Sequence, residues 1–71
     1  MDSLLKEIEK YSGKYQLSFQ FWGEGNNNVF VEKNDVELYS NGGLESPKEA
    51  IKEALNYIYR VNRVPHNQRK F

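Results

Sequence analysis

The sequence predicts a small α+β domain in which two amphipathic helices flank three short strands. Apolar residues recur at helical spacing over residues 3–12 and again from Pro47 to about Asn62, and between 14 and 40 they alternate with polar residues. Short connections containing Gly, Asn or Asp separate the alternating segments, which favours an antiparallel meander. We therefore expect the order α-β-β-β-α, with a three-stranded antiparallel sheet and two helices packed on one face.

The two helices are predicted from their apolar spacing and from the signals at their ends. The first has a short apolar stripe formed by Leu4, Leu5, Ile8 and Tyr11. The second has the clearest local signal in the chain. Ser46 is a good N-cap, Pro47 suits the first helical position, and Glu49 completes a capping box.

Three alternating segments are predicted as strands, at residues 14–22, 29–33 and 36–40. The alternation gives the sheet one buried face, which both helices must cover. The predicted core consists of Leu5, Ile8, Leu17, Phe19, Phe21, Val29, Val31, Val36, Leu38, Ile51, Ala54, Leu55 and Ile58. The opposite face then carries Trp22, Phe30 and Tyr39 beside Glu32 and Glu37. With Asn34-Asp35 as a two-residue turn, we expect Phe30 across from Tyr39 and Glu32 across from Glu37.

Length and charge predict one domain with a basic tail. The chain has 71 residues, and residues 1–59 hold six Lys and ten Asp or Glu, whereas residues 60–71 hold three Arg, one Lys and no acid. A net charge of −4 is thus followed by one of +4, and we expect a domain over 1–64 and a flexible tail over 65–71. The absence of cysteine fits a reducing compartment, so we expect a cytoplasmic protein, and no segment predicts a membrane span.

The sequence offers no convincing catalytic group, metal site or cofactor motif. His66 is the only histidine and lies in the predicted tail. Glu32, Asp35 and Glu37 surround one hairpin but lack the spacing of a calcium loop. The Gly23-x-Gly25 pair has no third glycine and does not open a helix, so a hairpin turn is favoured over a phosphate loop. We expect a protein that is not an enzyme and holds no cofactor or metal.

The uncovered sheet face is the strongest candidate for a binding site. Trp22, Phe30 and Tyr39 would form an exposed aromatic patch, and two glutamates directly opposite each other destabilise a sheet. An aromatic patch with an acidic rim that also includes Glu24 suits a basic protein surface or a second copy of the chain. The competing interpretations are an ordinary half-solvated sheet face and an error in the assigned phase of the strands.

The basic residues offer an alternative site for nucleic acid. The candidates are Lys48, Arg60, Arg63, Arg69 and Lys70. Cations late in a helix also complement the helix dipole, which gives them a purely structural explanation.

The segment VFVEKNDVELYSNGGLESPKEAIKEALNYI, under half of the chain, resembles the double-stranded RNA-binding domain in its order of elements. The resemblance implies the α-β-β-β-α topology and a second helix that contacts RNA. In that family a lysine cluster at the start of this helix grips phosphates, and its positions fall here on Pro47, Lys48 and Ile51. Only Lys48 is a lysine, and Gly23-Glu24-Gly25 stands where the family has a Gly-Pro-x-His type element.

In size, acidic body and element order, the chain also looks like small α-β proteins of bacteriophages and mobile elements, including some anti-CRISPR proteins. That resemblance implies a protein that binds a host protein and has no chemistry of its own. The function predicted from the sequence is therefore a small interaction module, an inhibitor or adaptor, with a divergent nucleic-acid-binding domain as the alternative.

Overall fold

The computed structural model describes residues 2–70 and has the predicted order α-β-β-β-α. A short 3-10 turn, His66–Gln68, follows the second helix. The helices and strands are α1 (Asp2–Tyr11), β1 (Gln16–Phe21), β2 (Asn27–Lys33), β3 (Val36–Leu44) and α2 (Pro47–Val61). The strands form one antiparallel sheet in the order β1-β2-β3, so the predicted meander is confirmed. The third strand is longer than predicted, because it continues to Leu44 rather than ending at residue 40.

Two local signals act much as the sequence predicts. Asn34 and Asp35 both have positive φ, 53° and 63°, as a two-residue hairpin turn of type I′ requires. Ser46 is the N-cap of α2, and its Oγ accepts a hydrogen bond from the Glu49 backbone N–H at 3.2 Å. The Glu49 carboxylate instead lies 3.8 Å from Lys52 Nζ, and no return bond to Ser46 occurs among the described residues. Half of the predicted capping box is therefore present.

The helix-facing side of the sheet is buried most deeply on the central strand. Val29 and Val31 of β2 are fully buried against Ala50 and Ala54 of α2. A second cluster joins the two helices, and it consists of Leu4, Tyr11, Ile51, Leu55, Ile58 and Tyr59. Side chains of α1, of β1 and of the residue just before β1 bridge the two clusters, namely Ile8, Leu17, Phe19 and Tyr15. Both helices therefore cover the same face of the sheet.

The predicted faces of Leu38 and Tyr39 on β3 are wrong because the strand contains a bulge. The register shifts between Val31 and Glu32, so that Val31 pairs with Tyr39 while Glu32 pairs with Glu37. The extra residue reverses the alternation that follows it. Tyr39 consequently lies on the helix side, opposite Val31, and not across from Phe30 on the open face. Phe30 pairs instead with Ser40.

Tyr39 is held on the helix side by two side chains of α2. Its ring stacks on that of Tyr57, with centroids 4.9 Å apart, and its hydroxyl donates to Glu53 Oε2 at 2.9 Å. Burial and the hydrogen bond to Glu53 raise the pKa of the Tyr39 hydroxyl above its usual range. Val36 and Leu38, which were expected in the core, are 58% and 40% exposed.

The prediction that Leu5 and Phe21 belong to the core is also wrong. Their side chains are 46% and 49% exposed. On α1, Leu4, Ile8 and Tyr11 form the stripe that packs inward, and Leu5 lies beside that stripe. Phe21 ends its strand opposite Asn27, and its ring packs 5.6 Å from the ring of Phe19.

A buried carboxylate connects the two helices. Glu7 of α1 is almost fully buried, and its Oε2 accepts a hydrogen bond from the Tyr59 hydroxyl of α2 at 2.6 Å. Lys10 Nζ lies 3.9 Å from the other carboxylate oxygen. Burial, followed by the bond to Glu7, raises the pKa of Tyr59 to about 12. This hydrogen bond joins the two helices and gives a buried polar group a partner inside the core.

Residues 65–70, for which the sequence predicts a loose tail, fold back onto the end of α2. Arg69 Nε donates to the Val64 carbonyl at 3.0 Å, and its guanidinium lies over the Tyr59 ring at 5.6 Å. The Lys70 backbone N–H donates to the Tyr59 hydroxyl at 3.3 Å. Tyr59 thus contacts α1 through Glu7 and the tail through two residues.

Two leucines test which apolar residues form the core. Leu55 is fully buried, so Leu55→Ala should lower the free energy of unfolding by roughly 2–5 kcal/mol. Leu38, an apolar side chain of the same size, is exposed, and Leu38→Ala should change stability by about 0.5 kcal/mol or less. Urea denaturation of both variants measures the difference. Equal losses would contradict the bulge that turns Leu38 out of the core.

Tyr59 should make stability sensitive to alkaline pH. Its pKa rises from 10 in the unfolded chain to about 12 in the folded protein, so folding favours the protonated hydroxyl. This stabilisation is fully present below pH 10 and should disappear as the pH rises from 10 to 12. Tyr59→Phe should remove that component from a series of denaturation curves across this range.

At neutral pH, Tyr59→Phe should also destabilise the protein by about 1–3 kcal/mol, because Glu7 stays buried without its donor. Tyr11→Phe is the matched control, since its ring packs against Tyr59 in the same cluster and no hydrogen bond of its hydroxyl is found among residues 2–70. A Tyr11→Phe loss as large as that of Tyr59→Phe would show that the Glu7 bond contributes nothing.

Candidate functional site

The face of the sheet opposite the helices is the candidate site, and neither helix covers it. Its side chains form cross-strand rows, which the register defines. From one end to the other the rows are Trp22 with Asn26, Gln20 with Asn28, Ser18 with Phe30 and Ser40, and Gln16 with Glu32 and Glu37. The face is therefore aromatic at one end, neutral and polar in the middle, and acidic at the other end.

Trp22 is placed at the end of this face by the turn that follows β1. The Trp22 N–H donates to the Asn26 carbonyl at 3.2 Å, and the Asn26 N–H donates to the Gly23 carbonyl at 2.9 Å. Gly23 and Gly25 have φ of 121° and 76°, a backbone region that favours glycine. The indole is 74% exposed, which confirms the prediction that it faces solvent.

A shallow hollow of about 340 Å³ lies beside the indole, lined by Gln20, Trp22, Asn26 and Asn28. Asn28 Nδ2 donates to Gln20 Oε1 at 3.1 Å, and Asn28 Oδ1 accepts from the Gly43 N–H at 3.2 Å. The two hydrogen bonds, from Gly43 to Asn28 and from Asn28 to Gln20, hold both side-chain amides in place at the floor of the hollow. The hollow thus presents neutral amide groups next to an aromatic ring.

Phe30 and the paired glutamates occupy the rest of the face. Phe30 is half-buried between Ser18 and Ser40, so it contributes less exposed apolar area than Trp22. Glu32 and Glu37 lie directly opposite each other, as predicted, and neither forms an ion pair with any residue between 2 and 70. Ser40 Oγ lies 3.5 Å from Glu37 Oε2. The like charges are therefore left without a cationic partner.

The aromatic patch is smaller than the sequence predicts. Tyr39 belongs to the helix side, and Leu38 lies exposed on the bulge opposite Glu32. Trp22 and Glu32 stand six residues apart along the strand direction, which at about 3.3 Å per residue is a separation of roughly 20 Å. Trp22 and the glutamate pair therefore form two separate contact points in one chain.

Asn27, which was not singled out from the sequence, anchors the turn that carries Trp22. Its side chain is completely buried, and Nδ2 donates to the carbonyls of Gly23 at 2.8 Å and Leu44 at 2.9 Å. The buried Oδ1 has no hydrogen-bond partner in the described structure. These bonds tie the β1–β2 turn to the end of β3. Within Asn26-Asn27-Asn28, nothing in the sequence distinguishes the fully buried asparagine from its two neighbours.

Glu24 was expected to rim the open face, but it lies on the side toward the start of α2. It lines a hollow of about 640 Å³ with Glu45 and Glu49. Within residues 2–70, no three side chains of His, Asp or Glu come together in an arrangement that could hold a metal ion. His66 is exposed in the 3-10 turn.

The structure divides the basic candidates into two locations. Lys48 is exposed in the first turn of α2, whereas Arg60, Arg63, Arg69 and Lys70 lie around the end of that helix. Twelve residues of helix separate Lys48 from Arg60, about 18 Å along the axis. Arg60 lies over the Tyr57 ring at 5.7 Å. None of the five forms an ion pair with another described residue.

Comparison with protein-family models, with curated proteins and with solved structures finds no match to this chain. No helix within residues 2–70 is long and apolar enough to cross a membrane. The geometry of the open face and of the helix ends is therefore the basis for assigning a function.

Truncating the aromatic residues of the face should have unequal effects on stability. Trp22→Ala removes a side chain that is mostly in solvent and should change the free energy of unfolding by about 0.5 kcal/mol or less. Phe30→Ala removes a half-buried ring and should cost roughly 2 kcal/mol, less than a fully buried Phe. Thermal melts followed by circular dichroism measure both. A Trp22→Ala variant that lost as much as Phe30→Ala would place the indole in a packed environment.

Proposed function

We propose that this protein is a non-enzymatic, cytoplasmic interaction module that binds a partner protein through its open sheet face. The observation that carries the proposal is that Trp22 is exposed at one end of the face. At the other end, Glu32 and Glu37 form no ion pair with any described residue. Tryptophan is among the residues most enriched in the energetic centres of protein interfaces. Because the indole is 74% exposed, its entry into a pocket of a partner would remove a large apolar area from water.

The charges of the face favour a partner with a basic surface. Glu32 and Glu37 face each other on adjacent strands, where like charges destabilise the sheet. An arginine or lysine of the partner placed between the two carboxylates would relieve that repulsion on binding. Complementary charge also accelerates encounter and selects among partners. The middle of the face, with Ser18, Gln20 and Ser40, supplies hydrogen-bonding groups without charge.

The role we propose for this module is an inhibitor or adaptor that binds a host protein, as its likeness to small acidic phage and mobile-element proteins implies. Such a protein acts by occupying a surface, and it needs no reactive group. The fixed amides beside Trp22 and the anchored turn at Asn27 support this role, because a binding face held in one conformation loses little entropy when it binds.

A second candidate function is nucleic-acid binding at the end of α2. Arg60, Arg63, Arg69 and Lys70 carry four positive charges there without an acidic partner among the described residues. Lys48 lies apart from this group. It stands alone at the start of the helix, where the double-stranded RNA-binding domain has a lysine cluster. Binding to phosphates would weaken steeply with salt.

Affinity capture with a matched set of variants tests the proposal. The tagged protein is incubated with a nuclease-treated lysate of its host cell, and the captured proteins are quantified by mass spectrometry. Trp22→Ala and the double variant Glu32→Lys/Glu37→Lys should each reduce capture of the same partner at least tenfold. The control Glu9→Lys/Glu45→Lys makes the same change in net charge at exposed sites off the face and should leave capture intact.

Two outcomes would contradict the proposal. A partner retained by both face variants, which must keep the wild-type circular dichroism spectrum, binds elsewhere. A protein captured only from a parallel lysate without nuclease treatment, and lost in Arg60→Ala/Arg63→Ala, favours the nucleic-acid alternative.

A further inference from the structure

The free edge of β1 has none of the features that protect exposed strands from pairing. An edge strand presents unpaired N–H and C=O groups, and it pairs readily with another strand unless charges, proline or a bulge interfere. β3, the other edge, carries Glu37 and two irregularities in its register. β1 has no charged residue and no proline, and its register with β2 is unbroken.

Three residues of β1 direct their backbone polar groups toward this free edge. The Trp22 N–H points toward the β2 side, where it donates to Asn26, and successive residues of a strand alternate in direction. Leu17, Phe19 and Phe21 therefore point the other way. Among the described residues, no loop or helix backbone group bonds to their N–H or C=O groups. The edge thus offers a row of donors and acceptors that pair with no other strand among the described residues.

The sequence of β1 is complementary to itself in an antiparallel pair. Directly paired residues share a face, so a two-fold axis at Phe19 sets this residue opposite its own copy and Leu17 opposite Phe21. On the open face the same axis sets Ser18 opposite Gln20. Every pair is uncharged, and identical strands therefore meet without electrostatic repulsion.

The helix-facing side of β1 also leaves apolar surface uncovered at this edge. Val29 and Val31 of the central strand are fully buried, whereas Leu17 and Phe19 are only half-buried and Phe21 is about half exposed. In the two-fold pair, Leu17 of the second copy would pack beside Phe21. The pair would thus bury apolar area that the single chain leaves in water.

We propose that two copies of this chain pair through their β1 strands and form one continuous six-stranded sheet. The pairing does not rest on the proposed function, but it completes the open face. Gln16, which lies in the row of Glu32 and Glu37, comes opposite Trp22 of the second copy. The indole of one copy then stands about 10 Å from Glu32 of the other, two strands away, instead of roughly 20 Å from it within one chain.

Molar mass measured by light scattering over a range of concentrations tests the pairing. The wild type should move from the chain mass of 8.4 kDa toward twice that mass as concentration rises. Ser18→Lys/Gln20→Lys places four lysines together across the axis and should weaken dimerisation at least tenfold. Ser18→Lys/Gln20→Glu sets each lysine opposite a glutamate of the second copy and should restore the dimer. Gln20→Lys loses the bond that Asn28 Nδ2 donates to Gln20 Oε1, whereas Gln20→Glu keeps an oxygen that can accept it, so each variant must first show the wild-type circular dichroism spectrum.

The rescue depends on the register, because only an axis at Phe19 brings position 18 opposite position 20. A wild type that stays at 8.4 kDa up to its solubility limit would overturn the proposal. So would a dimer that both double variants form equally well. Either result leaves the capture experiment unaffected, since Trp22 and the glutamate pair can bind a partner from a single chain.

Discussion

The structure depends on the burial of one sheet face by a single pair of helices. Val29 and Val31 are the most deeply buried strand residues, and α2 covers them with Ala50 and Ala54, whose small side chains allow close approach. α1 then packs on α2 and extends the cover toward β1 through Ile8. Among residues 2–70, no further helix or strand lies on the opposite side. The open face, which carries the candidate site, is therefore a direct consequence of how the core is built.

The sequence was sufficient to predict this architecture because its signals are local. Periods of two and of 3.6 residues, the Asn34-Asp35 turn and the Ser46 cap each act within a few positions, and each is present in the structure. The bulge at Glu37 and Leu38 has no such local signal. The register of β3 depends on which pairing buries more surface against α2, and in the observed register Tyr39 contacts both an aromatic ring and a carboxylate of α2. That preference comes from residues 14 to 18 positions away, which strand alternation cannot indicate.

Buried polar groups were the other part that sequence patterns could not predict. Glu7 and Tyr59 are 52 residues apart, yet their hydrogen bond lies between the two helices. Asn27 fixes the turn beneath Trp22 through two carbonyls, one of them 17 residues away. A pattern based on hydrophobicity assigns such residues to the surface. At the candidate site, the alternation was enough to place Trp22, Phe30 and the opposed glutamates on the open face. That Tyr39 lies on the other face, and that Asn27 anchors the turn before β2, could be seen only in the three-dimensional structure.

The shape of the open face explains why its edge matters as much as its centre. Within one chain, the indole and the acidic pair stand at opposite ends of the sheet, and a partner must span both to use them together. In the proposed dimer, the two-fold axis at Phe19 would turn one copy end for end, so the aromatic end of each chain would meet the acidic end of the other. The composite face would then repeat the combination of an indole with two carboxylates at two places related by symmetry. A surface of that kind favours a partner that is itself two-fold symmetric, because both sites can then be occupied in one binding event.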